Sequence, residues 1–262
     1  MIDTESVERA ASFWYLACEA IYNAMPQASL QKRPSGMRVL RTGAKTSILN
    51  GIISTTHEPD PDELSSLATS YSGSALPWSI QLRDDSVPPA VVEVANRCGL
   101  TTSSVAPFMI KRLAESGVRE AESPTIRIRR VPKDDHDTFR RVLAASFGSP
   151  EEIFRPFASP ELLDSEGITG FLVEEAGKPV ATSLGILLDD HVGVFSVSTL
   201  PLHRRRGLGR TATTAVLRDA YARGARVAYL KSSPQGKPLY ESLDFVTVEN
   251  WRTYVAPAMT SA

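Results

Sequence analysis

The sequence has few of the residues from which disulfide frameworks and metal centres are built. Its 262 residues include two cysteines, Cys18 and Cys98, and four histidines. Two thiols in a chain of this size are more typical of a reduced, cytoplasmic protein than of a disulfide scaffold. The histidines, at positions 57, 136, 191 and 203, lie far apart and show no zinc-ligand spacing. We therefore predict a cytoplasmic protein without a metal.

Net charge and long apolar runs are also scarce. The formal net charge is −1, from 29 basic and 30 acidic residues, so there is no general attraction to DNA or to an anionic membrane. No apolar run approaches the ~20 residues that span a bilayer. Residues 1–9 carry three acidic side chains and no basic region before an apolar stretch, which does not indicate a secretory signal. We expect neither DNA nor a membrane as a partner.

One stretch, residues 195–220, carries the strongest functional signal: FSVSTLPLHRRRGLGRTATTAVLRDA. A β-prone run ends at Thr199, and Pro201 stops the strand because it has no N–H to donate to a ladder. Three arginines and two glycines follow, and from Leu208 small and apolar residues recur at helical spacing. The pattern predicts a strand, a basic turn and a helix that begins at the turn.

Such a turn is an anion site. The first N–H groups of a helix lack partners within the helix, the macrodipole adds positive potential, and glycines let a phosphate approach the backbone. A Walker loop requires Gly-Lys-Ser/Thr, but Gly209 is followed by Arg210 and Thr211. The loose dinucleotide pattern fits residues 207–212, yet the acidic residue expected about 20 positions later is missing. Both of these interpretations are disfavoured.

The segment Arg204-x-x-Gly207-x-Gly209 resembles the signature of the GNAT superfamily of acyl-CoA-dependent N-acyltransferases. Two further segments are similar to the family at suitable positions: the strand before the turn, and PLYESLDF at residues 238–245. The resemblance implies an α/β (α+β) fold with a mixed, mostly antiparallel sheet flanked by helices. It also implies acetyl-CoA, or another acyl-CoA, as co-substrate.

The resemblance assigns roles to particular residues. Tyr240 would be the general acid that protonates the departing thiolate, and a backbone N–H near Val197, Ser198 or Thr199 would stabilise the oxyanion. Ser233 would contact the coenzyme, with Lys231, Gln235 and Lys237 as further candidates for its phosphates. The pyrophosphate would bind the turn, which comprises Arg204, Arg205, Arg206, Gly207, Leu208, Gly209, Arg210 and Thr211. Asp244 replaces the family's glycine, and aspartate tolerates left-handed backbone angles better than most residues.

The general base remains unassigned. Candidates near the relevant strand ends are Glu174, Glu175, Asp189, Asp190, His191 and Ser198, and a relay through water is an equal alternative.

Two domains are predicted, at residues 1–118 and 125–262, joined by a polar linker at 116–124. Residues 31–36 are predicted to form a polar break. Residues 25–115 are interpreted as a degenerate copy of the second domain's fold. In that alignment Ala95 corresponds to Tyr240, and acidic residues 55–62 correspond to the basic turn, so a diphosphate would be repelled. The alternative is an unrelated α/β domain.

Two classes of function follow. The first is an N-acyltransferase, monomeric or homodimeric, that acts on an amine of a small molecule or an amino acid. The second is a non-catalytic acyl-CoA sensor, in which Tyr240 is structural. A transferase that uses aminoacyl-tRNA is a more distant variant.

Overall fold

The computed structural model describes residues 2–71, 73–84, 86–115 and 125–257. In chain order its helices and strands are α1 (Thr4–Asn23), β1 (Ser29–Lys32), β2 (Met37–Arg41), β3 (Gly51–Ser54), α2 (Pro61–Thr69), β4 (Ser79–Leu82), α3 (Pro89–Arg97), β5 (Thr102–Arg112), β6 (Ile126–Arg130), α4 (His136–Phe147), α5 (Glu151–Phe154), α6 (Pro160–Leu163), β7 (Ile168–Glu175), β8 (Lys178–Leu188), β9 (His191–Thr199), α7 (Leu208–Ala222), β10 (Val227–Lys231), α8 (Lys237–Glu241) and β11 (Val246–Val255).

Two compact units form, and their borders differ from the predicted domains at 1–118 and 125–262. The larger unit contains Met1–Ala24 and Met109–Val248, and the smaller contains Met25–Phe108 and the segment from Glu249. The predicted linker at 116–124 lies outside the described residues. Helix α1 belongs to the larger unit because its aromatic side pairs with that unit's strands: the Trp14 ring stacks on Phe195 at 4.8 Å between centroids.

The larger unit is built on a mixed sheet in the order β5-β10-β9-β8-β7-β6, in which β5 is represented by its residues from Met109 onward. Strands β6 to β9 pair antiparallel, whereas β9 and β10 pair parallel, and α7 is the crossover helix that a parallel pair requires. The core joins small and apolar residues of α7 to the strands and to α8, and includes Val194, Val216, Leu230, Tyr240 and Phe245. The predicted fold class is confirmed.

The smaller unit has the sheet order β1-β2-β3-β4-β11-β5, in which β5 contributes its residues up to Phe108 and β11 its residues from Glu249. Strands β1, β2 and β3 pair antiparallel, and β3 and β4 pair parallel with α2 as their crossover. Its core includes Ile52, Leu64, Ile80, Val91 and Leu100. Strand β1 was not predicted, because its polar sequence and exposed side chains gave no alternating pattern.

The two units share an order of elements. The chain order β3, α2, β4, α3, β5 is repeated later in the chain by β9, α7, β10, α8, β11. The ends of α3 and α8 also agree in detail: the Leu100 N–H donates to the Ala95 carbonyl at 3.0 Å, and the Phe245 N–H donates to the Tyr240 carbonyl at 3.0 Å. This agreement supports the proposal that residues 25–115 are a degenerate copy.

Both turns contain a left-handed residue at the same place. Gly99 has a φ of 74° and Asp244 a φ of 63°, so aspartate does adopt the backbone angle for which the family's glycine is suited. The buried Lys111 ammonium donates to the Leu243 carbonyl at 2.7 Å and contacts the Asp244 carboxylate at 3.3 Å. These contacts help to hold the turn.

Candidate active site

A cavity of about 830 Å³ lies in the larger unit, where β9 and β10 separate. The two strands pair from His191–Gly193 with residues 227–229, and beyond these pairs both line the cavity. The lining residues come from α1, the end of α4, β9, the turn before α7, the end of β10 and α8. The predicted strand, turn and helix therefore meet at one opening.

Strand β9 carries a bulge in its lining segment. Its partner strand pairs Thr182 with Ser198 and Leu184 with Phe195, so one residue of β8 faces two of β9. Ser196 has a φ of 49°, and its carbonyl accepts a hydrogen bond from the Thr182 hydroxyl at 2.7 Å. Because a bulge takes one residue out of the ladder, the strand presents irregular backbone to the cavity just before Val197.

The turn leads into a helix without a side-chain cap. Gly207 is the N-cap of α7, with a φ of 81° that favours glycine, and no side chain hydrogen-bonds to the first turn. The first turn of α7 contains no acidic residue. A Cβ atom at Gly209 would lie 3.2 Å from Leu239 and 3.8 Å from the Thr199 hydroxyl, so the helix begins close to β9 and α8. Its leading N–H groups suit an anion.

The arginines of the turn have different partners. Arg204 donates to the carbonyls of Thr199 at 3.2 Å and Ser146 at 2.5 Å. Arg206 forms an ion pair with both oxygens of the Glu175 carboxylate. Within the described part of the chain, the Arg205 guanidinium makes no hydrogen bond or ion pair. Arg205 is therefore the arginine of this triplet best able to meet a phosphate.

Tyr240 lies in the wall of the same cavity, on α8. Its side chain is 9% exposed, and burial raises its pKa to about 12. Its ring meets Phe245 edge-on at 5.9 Å between centroids. The phenol therefore keeps its proton at neutral pH and can act as a proton donor.

Residues 135–245 match the family model described as the acetyltransferase (GNAT) family. This matched segment runs from the start of α4 to the Tyr240–Phe245 turn and contains the turn, the bulge and Tyr240.

The larger unit therefore contains a segment, residues 135–245, that matches a GNAT acetyltransferase domain. The reaction of that family is acyl transfer from acyl-CoA, with acetyl-CoA as co-substrate.

Solved structures resemble the chain over most of its length. A GCN5-related N-acetyltransferase from Kribbella flavida is 17% identical with a TM-score of 0.68, covering 95% of this chain and 96% of that one. One from Sphaerobacter thermophilus is 16% identical with a TM-score of 0.58, covering 88% and 77%. A functionally unknown protein from Staphylococcus epidermidis is 12% identical with a TM-score of 0.66, covering 87% and 94%. At these identities the likeness shows the fold alone.

Comparison with curated proteins by sequence gives no match. Separately, none of the helices in the described ranges has the length and apolar character needed to cross a membrane.

Most of the residues predicted for the GNAT site line its cavity. These are Val197, Ser198, Thr199, Arg204, Arg205, Gly207, Leu208, Gly209, Arg210, Ser233 and Tyr240, together with the further candidates Lys231 and Gln235. Arg206, Thr211 and Lys237 are not among the described lining residues. Arg206 turns to Glu175 instead, and the Thr211 N–H is used by the Gly207 carbonyl at 3.0 Å, as a helical hydrogen bond.

Among the candidate bases, Ser198 lines the cavity and hydrogen-bonds to the Thr182 hydroxyl at 2.7 Å. The five others face partners elsewhere in the unit. Glu174 pairs with Arg129 at 2.6 Å, and Glu175 binds His203 at 2.8 Å. Asp189 and Asp190 contact the guanidinium of Arg9.

His191 is also held away from the GNAT cavity. Its Nδ1 lies 2.6 Å from an Asp190 oxygen, and its ring stacks on Phe13 at 4.3 Å between centroids. Burial lowers the pKa of His191, and the hydrogen bond to Asp190 opposes that shift.

Three aromatic residues of the cavity were not predicted as site residues: Trp14 on α1, Phe147 at the end of α4, and Phe195 on β9. The aromatic stripe of α1 was a visible signal, but such a stripe more often indicates core packing. Trp14 reaches the cavity because α1 contacts strands that begin about 170 residues later in the sequence.

Proposed function

We propose that this protein transfers an acetyl or other short acyl group from acyl-CoA to an amine of a small molecule or an amino acid. The observation that carries the proposal is that one cavity holds both an uncapped helix start with basic residues and the protonated phenol of Tyr240. The first feature suits the coenzyme's phosphates and the second its leaving sulfur.

In this proposal the coenzyme's pyrophosphate binds the N–H groups at the start of α7, and Arg205 neutralises part of its charge. The pantetheine arm follows the bulged part of β9. There a backbone N–H between Ser196 and Thr199 stabilises the oxyanion that forms when the amine attacks the thioester carbonyl.

Collapse of the tetrahedral intermediate breaks the carbon–sulfur bond. Tyr240 gives its proton to the departing thiolate and later regains one from the nitrogen through solvent. No Asp or Glu is found among the described residues of the cavity lining, so in this proposal the proton lost by the amine passes to water.

The smaller unit is proposed to lack a coenzyme site. At the start of α2, the Asp60 carboxylate accepts a hydrogen bond from the Asp62 N–H at 2.9 Å. Asp62 and Glu63 add further negative charge to this first turn. A carboxylate thus occupies the position that an anion would take, and a diphosphate would be repelled.

A coenzyme-release assay with acetyl-CoA and a panel of amines tests the proposal. Tyr240→Phe should lower kcat by about 10²- to 10⁴-fold, which is the usual contribution of positioned acid catalysis, while acetyl-CoA binding measured by calorimetry stays unchanged. Tyr221→Phe is the matched control, because this α7 tyrosine is not among the described cavity residues. Tight coenzyme binding without turnover of any amine would instead identify a sensor.

A further inference from the structure

One end of the cavity is formed by two aromatic rings and a lysine. Trp14 of α1 stacks on Phe195 of β9 at 4.8 Å, and the Lys231 Nζ lies 5.4 Å from the centroid of the Trp14 ring. All three side chains line the cavity. Gly193 makes room for this arrangement, since a Cβ there would lie 2.5 Å from the Phe195 ring and 2.8 Å from the Tyr229 ring.

This aromatic end is separate from the turn that suits the phosphates. Phe195 precedes Thr199 by four residues of β9, a span of at most about 13 Å. Lys231 lies two residues beyond Tyr229, which pairs with Gly193, so it is level with Phe195 on the neighbouring strand. Lys231 therefore lies level with the middle of β9, whereas the arginines follow the last residue of that strand.

The ionisable side chains of the cavity are basic or phenolic. The basic ones are Lys231 at the aromatic end and His203, Arg204, Arg205 and Arg210 near the turn. Over the described ranges no Asp or Glu side chain lines the cavity. With the basic residues near the turn facing the coenzyme's phosphates, Lys231 is the basic residue at the aromatic end, where it attracts an acceptor that carries a carboxylate.

We propose that Lys231 binds a carboxylate of the acceptor while Trp14 and Phe195 contact the acceptor's apolar part. The acceptor is then an amino acid or a similar amine that carries a carboxylate beside an apolar group. This inference rests on the proposed transferase function and names the substrate class for that site.

The surroundings of Lys231 favour such a partner. Burial lowers the pKa of Lys231, and the nearby Cys18 thiol opposes the shift. A lowered pKa means that the ammonium is poorly solvated where it lies. A carboxylate placed beside it interacts more strongly than it would in bulk water, because the effective dielectric constant is lower.

Calorimetric titration of the 262-residue protein saturated with coenzyme A tests the inference without requiring turnover. The probes are amino acids and their decarboxylated amines, beginning with L-phenylalanine against 2-phenylethylamine and L-leucine against 3-methylbutylamine. The wild type should bind the carboxylated member of at least one pair about 10- to 100-fold more tightly, as a charged hydrogen bond predicts. Lys231→Met should abolish that preference, and Lys231→Arg should retain part of it.

Lys178→Met is the matched control, because this exposed lysine lies at the start of β8 and is not a described cavity residue. It should keep the preference of the wild type. Lys231→Gln gives a second neutral variant should the methionine variant fail to bind coenzyme A. Absence of preference or of binding in every pair, or a preference that survives in the neutral Lys231 variants, would overturn the inference.

The two proposals fail in different ways. Selective binding of the carboxylated probes without release of coenzyme from acetyl-CoA would refute the transferase function and leave Lys231 as an anion-binding residue. Equal turnover of amines with and without the carboxylate would refute the role of Lys231 and leave the transferase function intact.

Discussion

The titration of Tyr240 gives a prediction whose size follows from the structure. Burial raises the pKa of this phenol to about 12 from an ordinary value of 10.0. In the unfolded chain the phenol ionises near its ordinary value, so the unfolded state loses its proton first as pH rises. The contribution to stability is complete below about pH 10 and is lost as pH rises through the folded pKa near 12.

A difference of about two pKa units corresponds to about 3 kcal/mol of unfolding free energy. About 2 kcal/mol of this contribution should be lost by about pH 11.5. Tyr240→Phe has no proton to lose, so its unfolding free energy should fall less steeply over the same range. Other groups, including the buried Tyr229, titrate in both proteins and cancel when the two curves are subtracted.

Urea denaturation at several pH values between 8 and 11.5 measures the two curves. Below about pH 9 the difference in unfolding free energy between wild type and Tyr240→Phe should be constant. Above that pH the unfolding free energy of the wild type should fall relative to that of the variant. A difference that stays constant through pH 11.5 would contradict the assigned pKa. It would mean that the phenol is solvated, which would also weaken its role as an acid held in its protonated form.

Two further predictions concern the basic turn and the turn after α8. Arg205→Met should raise the Kd for acetyl-CoA, measured by calorimetry, about tenfold because a charged phosphate contact is lost. Arg206→Met should change this Kd less than about twofold, since Glu175 already holds that guanidinium. Equal effects of the two substitutions would refute the different roles given to the two arginines. Asp244→Ala should lower the free energy of unfolding by about 1–2 kcal/mol, because alanine is strained at a φ of 63° and the buried Lys111 loses a carboxylate contact. Urea denaturation should show a smaller loss of unfolding free energy for Asp244→Asn. Equal losses in the two variants would show that backbone strain is not the cause.

Features set by short-range patterns were predictable from the sequence. Strand β9, the turn and the start of α7 follow from residues that are close together in the chain, and so does the left-handed turn at Asp244. The fold class followed from a resemblance that is itself carried by such local motifs. The general location of Tyr240 in the cavity was predictable for the same reason.

Features set by distant pairings were not predictable. The removal of Arg206 from the cavity depends on Glu175, which lies 31 residues earlier in the chain. The position of Trp14 depends on Phe195, and the aromatic pattern of α1 alone indicates a buried helix without showing which strands cover it. Strand β1 pairs with β2 although its own residues are mostly polar and exposed, so its backbone ladder, and not an apolar face, defines it.

The membership of α1 in the larger unit has a consequence for the order of synthesis. The Phe13 carbonyl of this helix accepts a hydrogen bond from the Tyr229 hydroxyl at 2.9 Å, and Tyr229 is translated 216 residues after Phe13. At ordinary elongation rates that interval is roughly 10–40 s. During this time the partners of its aromatic side on β9 and β10, Phe195 and Tyr229, have not yet been made, so that side of α1 is expected to be accessible to chaperones until both strands are complete.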